Sequence, residues 1–534
     1  MFELGRTLKL STLAVASALV VSCTGAGSSM GPSKGNMIPD DAVFAVKVEA
    51  DKLLNKALGE ENSQLRDMWN MSKLAVSGQI SGYGELGELA RKIIKDPTVL
   101  GVDLDSPVVL SGTVESVNID EDPSGSVYAV ALLEDRAAFI SVADAVMKYA
   151  KDEMGYSATR EDINKSYTYY MLGSEDECYM DLAVAAKGAV LRFRYDEYGY
   201  GDMKQSMLDL FVNGGPANAD GLSDFYSPKN DIAVWSDVDA SVQTILPVLR
   251  YEDPQLYALV KSNLQMVKGM TAVSDLLLED GKTVMNFKAF GSDQMKEYAT
   301  RYMSPASDKY VSLMPATSAV VLNMSVKNLP DLVEQLRSSY PEVDEIYDEL
   351  QYEMGLTDQV LAGLSGTITV AIDGKELTDD YVPFVACIEC NGVVWRFVEN
   401  YLREVAESQG DNTYVIDDEV YVFYEDGHIT VVDSLTLLTA PMAGTHSFAD
   451  TALGKQIRNG GLAINIDQIP NDVVREVTRD IFGSSMSKRQ VVEICNSAVF
   501  VPSSDFMSAT ATLSMMDKKH NLLESILLKA VPSF

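Results

Sequence analysis

The sequence predicts an α+β fold: two homologous halves, each mainly antiparallel sheet with helices packed on one face. Three observations predict it. The stretch Met37–Leu54, MIPDDAVFAVKVEADKLL, recurs as Met314–Leu332, MPATSAVVLNMSVKNLPDL, with Pro39 answered by Pro315. In each copy a Pro closes a turn, a short polar step follows, and a strand of buried type runs into a helix start. Two-residue turns at Lys187-Gly188, Asp280-Gly281 and Asp426-Gly427 separate apolar arms, and turns that short join antiparallel strands only. Finally, 534 residues, 46% of them hydrophobic and 23% charged, supply enough material for two globular cores.

The chain divides accordingly. Residues 1–22 read as a lipoprotein signal peptide, 23–35 as a flexible tether, 36–300 as the first repeat half and 306–534 as the second. Arg6 and Lys9 make a basic start, and Leu10–Val21 is an apolar run too short to cross a bilayer. Val20-Val21-Ser22-Cys23 resembles the lipobox of bacterial lipoproteins. That resemblance implies cleavage before Cys23, diacylglycerol on its sulfur and palmitate-type acylation of its new amino group. Several acyl chains anchor a protein stably. Thr24 stands where an inner-membrane retention signal has aspartate, which favours the outer membrane. Gly25–Gly35 is a Gly/Ser-rich tether without the acidic cluster of surface-export signals, which favours the periplasmic face over the cell surface.

A formal net charge of −35 argues against a nucleic-acid partner, because phosphate binding needs clustered Lys and Arg. It also disfavours an anionic membrane surface, so the membrane is expected to be met through the N-terminal lipid. The remaining partner is an unknown envelope protein or glycan.

The first half opens with a strand at Ala42–Val48, then helical spacing at Leu65–Val76 and Glu85–Lys95, the latter ended by Asp96-Pro97. Pro107–Thr113 and Val127–Leu133 read as strands about a turn at Asp122–Gly125, and Arg136–Lys151 as an amphipathic helix. Asp181–Arg194 is a hairpin, Tyr195–Asp202 a tyrosine-rich acidic loop, and Met203–Phe211 a helix. Asp231–Ser236 is a strand, and Pro254–Val267 a helix with Asp253 at its cap. Val273–Leu278 and Thr283–Ala289 form a meander, and polar Ser292–Lys309 marks the boundary between halves. The second half repeats the order: helices at Leu329–Ser338 and Val343–Met354, strands at Gly366–Asp373 and Val382–Glu389, and a helix at Val393–Ala406. A hairpin at Tyr421–Val432 and a strand at Gly461–Asp467 follow, and Phe506–Met515 and Leu522–Val531 are expected as closing strands.

Ile38–Val48, Gly101–Val108 and Asp231–Trp235 resemble, in order, segments of the Bacteroidetes cell-envelope lipoproteins grouped as domain-of-unknown-function family 4836. The resemblance spans nearly the whole mature chain and implies an envelope lipoprotein. It carries over no catalytic residue.

Candidate chemistry is sparse. The three histidines, His428, His446 and His520, each fall on a polar loop or turn without a motif neighbour, so no metal ligand or catalytic residue is assigned and no cofactor is expected. Asp120–Gly125 begins like a calcium loop, but the twelfth position is Ala131 and not Glu. Cys178, Cys387, Cys390 and Cys495 allow three disulfide pairings, and the Cys387–Cys390 spacing of a redox motif sits on an expected strand, where thiols are inert. Tyr195, Tyr198 and Tyr200, with Tyr167, Tyr169 and Tyr170 upstream, form a candidate binding loop for sugar rings or peptides. Asp450-Thr451-Ala452 resembles a Bacteroidetes O-glycosylation acceptor at Thr451, as Asp433-Ser434-Leu435 does more weakly.

The expectation is therefore a non-catalytic binding or scaffold module on an outer-membrane lipid anchor. The alternative is an envelope glycan- or peptide-hydrolysing enzyme using Asp and Glu, although 78 acids leave no pair distinguished by spacing. A third reading is a periplasmic chaperone. Raised carboxyl pKa values converging in one pocket mark the enzyme, and an apolar or tyrosine-rich patch the module.

Overall fold

The computed structural model describes residues 38–59, 63–79, 84–116, 124–164, 167–173, 178–194, 220–378, 380–417, 419–437 and 446–530. Ten strands come from the first part of the chain: β1 (Ala42–Val48), β2 (Val108–Ser116), β3 (Ser124–Leu132), β4 (Ala158–Asn164), β5 (Tyr167–Gly173), β6 (Cys178–Val184), β7 (Gly188–Arg194), β8 (Ile232–Asp237), β9 (Thr271–Glu279) and β10 (Lys282–Phe290). Ten more follow: β11 (Ser318–Val326), β12 (Gly366–Asp373), β13 (Phe384–Glu389), β14 (Glu407–Gly410), β15 (Thr413–Ile416), β16 (Val420–Glu425), β17 (His428–Val432), β18 (Gly461–Asn465), β19 (Ser497–Pro502) and β20 (Ser508–Ser514). Together they make one sheet.

Its order is β4-β5-β6-β7-β3-β2-β1-β8-β9-β10, then β20-β19-β18-β11-β12-β13-β17-β16-β15-β14, with each of these pairings antiparallel. The second ten repeat the pairing order of the first. β10 and β20 join edge to edge, from Lys282 opposite Ser514 to Lys288 opposite Ser508. The fold is α+β, and the two stretches continue one sheet.

Helices enter at matching points. After β1 come α1 (Ala50–Leu58), α2 (Ser63–Gln79) and α3 (Gly84–Lys95), and after β3 comes α4 (Arg136–Asp152). α5 (Val238–Glu252) and α6 (Pro254–Ser262) follow β8, and α7 (Asp293–Tyr302) follows β10. Behind β11 lie α8 (Leu329–Ser339), α9 (Pro341–Met354) and α10 (Asp358–Gly363), and behind β13 lies α11 (Gly392–Val405). α12 (Asn471–Phe482) and α13 (Lys488–Ile494) follow β18, and α14 (Leu522–Ala530) follows β20.

Local chemistry explains these starts. The Asp135 carboxylate accepts from the amides of Ala137 and Ala138 at the head of α4, and the Asn391 side chain accepts from Val393 and Val394 at the head of α11. Ser292 caps α7 in the segment expected to be an irregular boundary. Leu522–Ala530 is a helix, against the expected strand, because Asn521 accepts from the Glu524 amide and starts a turn that Leu523 and Leu527 continue on one side.

Both faces of the outer strands are closed, where one was expected. On one face α3 and α4 pack Ile93, Ala143 and Met147 over Leu182 and Ala189. On the other, Ile38 and the short helix Leu222–Phe225 lie against Tyr128, Val130 and Trp235. The second stretch repeats this, with α11 packing Val394 and Trp395 on Val422 and Ile429, and Met314 and Phe448 on Val385 and Val432. Helices also cross the seam: α14 places Leu528 with Leu58 and Leu65, and Arg301 on α7 pairs with Asp331 on α8 at 2.6 Å.

Candidate functional site

Cys23 and the loop tyrosines Tyr195, Tyr198 and Tyr200 lie outside the described residues, as do 120–123 of the calcium-like stretch. Ser124 and Gly125 already belong to β3. The upstream tyrosines Tyr169 and Tyr170 are buried and not displayed for a ligand. Tyr169 donates to Asp181 Oδ2 at 2.9 Å, and Tyr170 to Asp144 Oδ1 at 2.8 Å, with burial holding the Tyr170 phenol above its usual range. Thr451 is the cap of the short helix Ala452–Gln456: its Oγ1 accepts from the Gly454 amide at 2.9 Å and donates to the Phe448 carbonyl at 2.6 Å.

Cys387, Cys390 and Cys495 are free thiols. Burial pushes both Cys387 and Cys390 up to about 11, far from the range of a reactive thiolate. His428 corrects the expectation of a polar turn. It opens β17, is buried, and lies 5.2 Å from the Tyr310 ring, and desolvation, helped by the Lys309 charge, lowers its pKa. His520 donates from Nδ1 to the Asp517 carboxylate Oδ2 at 2.6 Å, and that hydrogen bond raises its pKa. The Asp51 carboxyl is held above its usual range by partial burial and then by the Asp105 charge.

The feature that sequence reading missed is a surface. Register carries it across the sheet, since directly opposed residues point to the same side. Leu110 opposes Val46, which opposes Val234, then Ser274, then Phe287, then Ala509 and Pro502. A parallel row runs Ile232, Leu276, Met285, Ala511, Phe500, Leu462, Leu322 and Val370. Both rows lie on the face whose outer strands are covered by α4 and α11. Over the ten central strands, β2 to β12, the positions on this face carry no charged side chain among the described residues. Serine and threonine interrupt them at Ser236, Ser274 and Thr283 alone.

That face is apolar and uncovered at its centre. Phe44, Leu110, Val234, Phe287, Met324 and Phe500 are each between 37% and 42% exposed. Mid-sheet side chains are shielded by their own neighbours along and across the strands, so such values describe a sheet without a layer above it. At the seam the opposite face is polar: the Asn286 amide donates to Asp275 at 2.8 Å, and the Thr510 hydroxyl donates to Asn286 at 3.0 Å. The seam thus turns its polar side and its apolar side outward together.

The opposite face also holds buried polar groups at matching positions in β1 and β11. Lys47 is fully buried, paired with Glu49 at 3.0 Å, and donates to the Ser227 carbonyl at 2.6 Å. Asn323 donates to the carbonyls of Ile457 at 3.0 Å and Arg458 at 3.2 Å. Both side chains tie their strand to the loop before β8 or β18. A buried two-point ion pair, Arg192 with Asp181, also receives the Tyr169 hydroxyl. Burial works against the Arg192 charge, but hydrogen bonding and charge pairing with Asp181, helped by Tyr128, together outweigh it and raise the Arg192 pKa.

Neither family models, nor curated proteins, nor solved structures match this chain.

Proposed function

We propose that this chain is an outer-membrane lipoprotein of the bacterial cell envelope, anchored through lipid on Cys23, that acts as a non-catalytic binding module. The family resemblance of Ile38–Val48, Gly101–Val108 and Asp231–Trp235 belongs to this proposal, as does duplication of one ancestral ten-strand unit. What supports duplication is the repeated pairing order together with the recurrence of Met37–Leu54 at Met314–Leu332.

The observation that carries the binding reading is the open apolar face crossing the seam. Exposed apolar surface costs about 25 cal/mol per Å² against burial, so a contiguous patch of this kind marks an interaction site. It is also the patch expected of a module and not of a carboxylate hydrolase.

Two measurements test the proposal. Metabolic labelling with a palmitate analogue should tag the outer-membrane form of the wild type and leave Cys23→Ser untagged; label persisting in Cys23→Ser would remove the anchor. A fluorescent apolar-surface probe should bind the folded wild-type chain and bind the Phe287→Asp/Phe500→Asp variant weakly. Equal binding to both would remove the face as the site.

A further inference from the structure

We infer that the open face seats the acyl chains of a zwitterionic diacyl phospholipid drawn from the membrane that holds the anchor. This inference rests on the binding-module reading and deepens it by naming the ligand.

The face selects against the other occupants. Each of the ten strands is hydrogen-bonded on both sides, so the backbone offers a ligand no free donor or acceptor. An extended polypeptide laid on this floor brings unpaired amides and carbonyls, and each one desolvated without a partner costs about 1–3 kcal/mol. Hydrocarbon tails bring none. A second copy of the chain brings a net charge of −35 against −35, and an anionic headgroup meets the same repulsion. A headgroup without net charge avoids it.

Dimensions agree with the chemistry. Ten strands spaced about 4.8 Å apart make a strip roughly 40 Å long. The hydrocarbon core of a bilayer is about 30 Å thick, so the tails of one leaflet, about 15 Å each, lie within the strip. The helices over the outer strands, α4 at one end and α11 at the other, bound it.

The test uses the full lipidated chain in vesicles of phosphatidylethanolamine containing a phosphatidylethanolamine with a photoactivatable group in its acyl tail. After illumination, labelled peptides are mapped by mass spectrometry. Labelling is expected on the β10, β19 and β20 segments that carry Phe287 and Phe500. In Phe287→Asp/Phe500→Asp it should fall about tenfold, since a carboxylate pressed against hydrocarbon costs more than one decade in affinity. Both side chains are exposed, so the variant is expected to keep the wild-type circular dichroism and melting curve; Phe287→Ser/Phe500→Ser serves if it does not. Labelling confined to the tether near Cys23 overturns the inference. If an unfolded model polypeptide then binds the face and the aspartate variant does not bind it, the module reading stands with a different ligand. A dimer in sedimentation that the aspartates dissociate names a second copy instead. Binding of no probe at all ends both readings.

Discussion

Lys47 and Asn323 sit at matching points of β1 and β11, and both solve the same problem with different chemistry. A loop passes over each strand and turns carbonyls inward, and a buried donor must meet them. In β1 the donor is charged and requires Glu49; in β11 an amide serves, and the Thr369 hydroxyl donates to its oxygen at 2.9 Å. Replacing Lys47 with Met leaves Glu49 buried without its cation, and chemical denaturation should show a loss of about 3–5 kcal/mol. Arg192→Met should cost a similar amount, about 3–5 kcal/mol, because it strands Asp181. Replacing the whole set (Tyr169→Phe, Asp181→Leu, Arg192→Leu) should restore most of that stability, since nothing charged remains buried. The two histidines act in opposite directions. The raised pKa of His520 contributes stability that is complete below about 6.5 and is lost as pH rises through its folded value. His428, lowered by burial, contributes stability that is complete above about 6.5 and is lost as pH falls through its folded value. The urea midpoint should therefore peak near neutrality, and His520→Gln should flatten the alkaline side alone.

At the scale of elements, caps and close approaches set the starts and stops. Asp135 and Asn391 each accept from two amides at equivalent helix starts, so Asp135→Ala and Asn391→Ala should each lower stability by about 1 kcal/mol in thermal or urea unfolding. The approach of Gly101, at the end of the short helix Pro97–Leu100, to the start of α4 is tighter still. Gly101 has φ +70°, and a Cβ there would stand 2.1 Å from the Asp135 carbonyl oxygen. Gly101→Ala should therefore cost more than the caps do, about 2–3 kcal/mol, the range of a strained backbone combined with a shifted neighbour. The cap at Asp253 was legible in the sequence, and its carboxylate accepts from the Leu256 amide at 2.9 Å; Asp135 and Asn391 hold the same place ahead of amphipathic runs. The edge strands were not: β4 (ATREDIN) and β14 (ESQG) have no apolar alternation, because neither has a buried face to fill. They are strands because β5 and β15 offer open ladders. α14 was misread for the opposite reason, since a short run rich in Leu and Ile fits a buried strand or a buried helix equally well.

For the whole molecule, the seam decides cooperativity. β10 and β20 are central strands, and α14 and α7 each pack across the seam, so wild-type unfolding should be a single transition in calorimetry. Thr510→Pro removes a ladder hydrogen bond in the middle of β20, a change of about 3 kcal/mol or more, and should split that transition in two. A single transition in that variant would mean that the helical contacts alone couple the halves. The sequence by itself determined the α+β class and the alternation of strands such as β3, β12 and β13, because these follow from local periodicity and turn chemistry. It also contained the uncharged parity of the ten central strands, but only residue by residue. Which face of each strand joins which neighbour is a matter of register, and register is fixed by pairings between residues hundreds of positions apart, such as Met285 with Ala511. The tertiary structure alone decided that these uncharged positions meet on one face, that the face crosses the β10–β20 seam, and that no described element covers its centre.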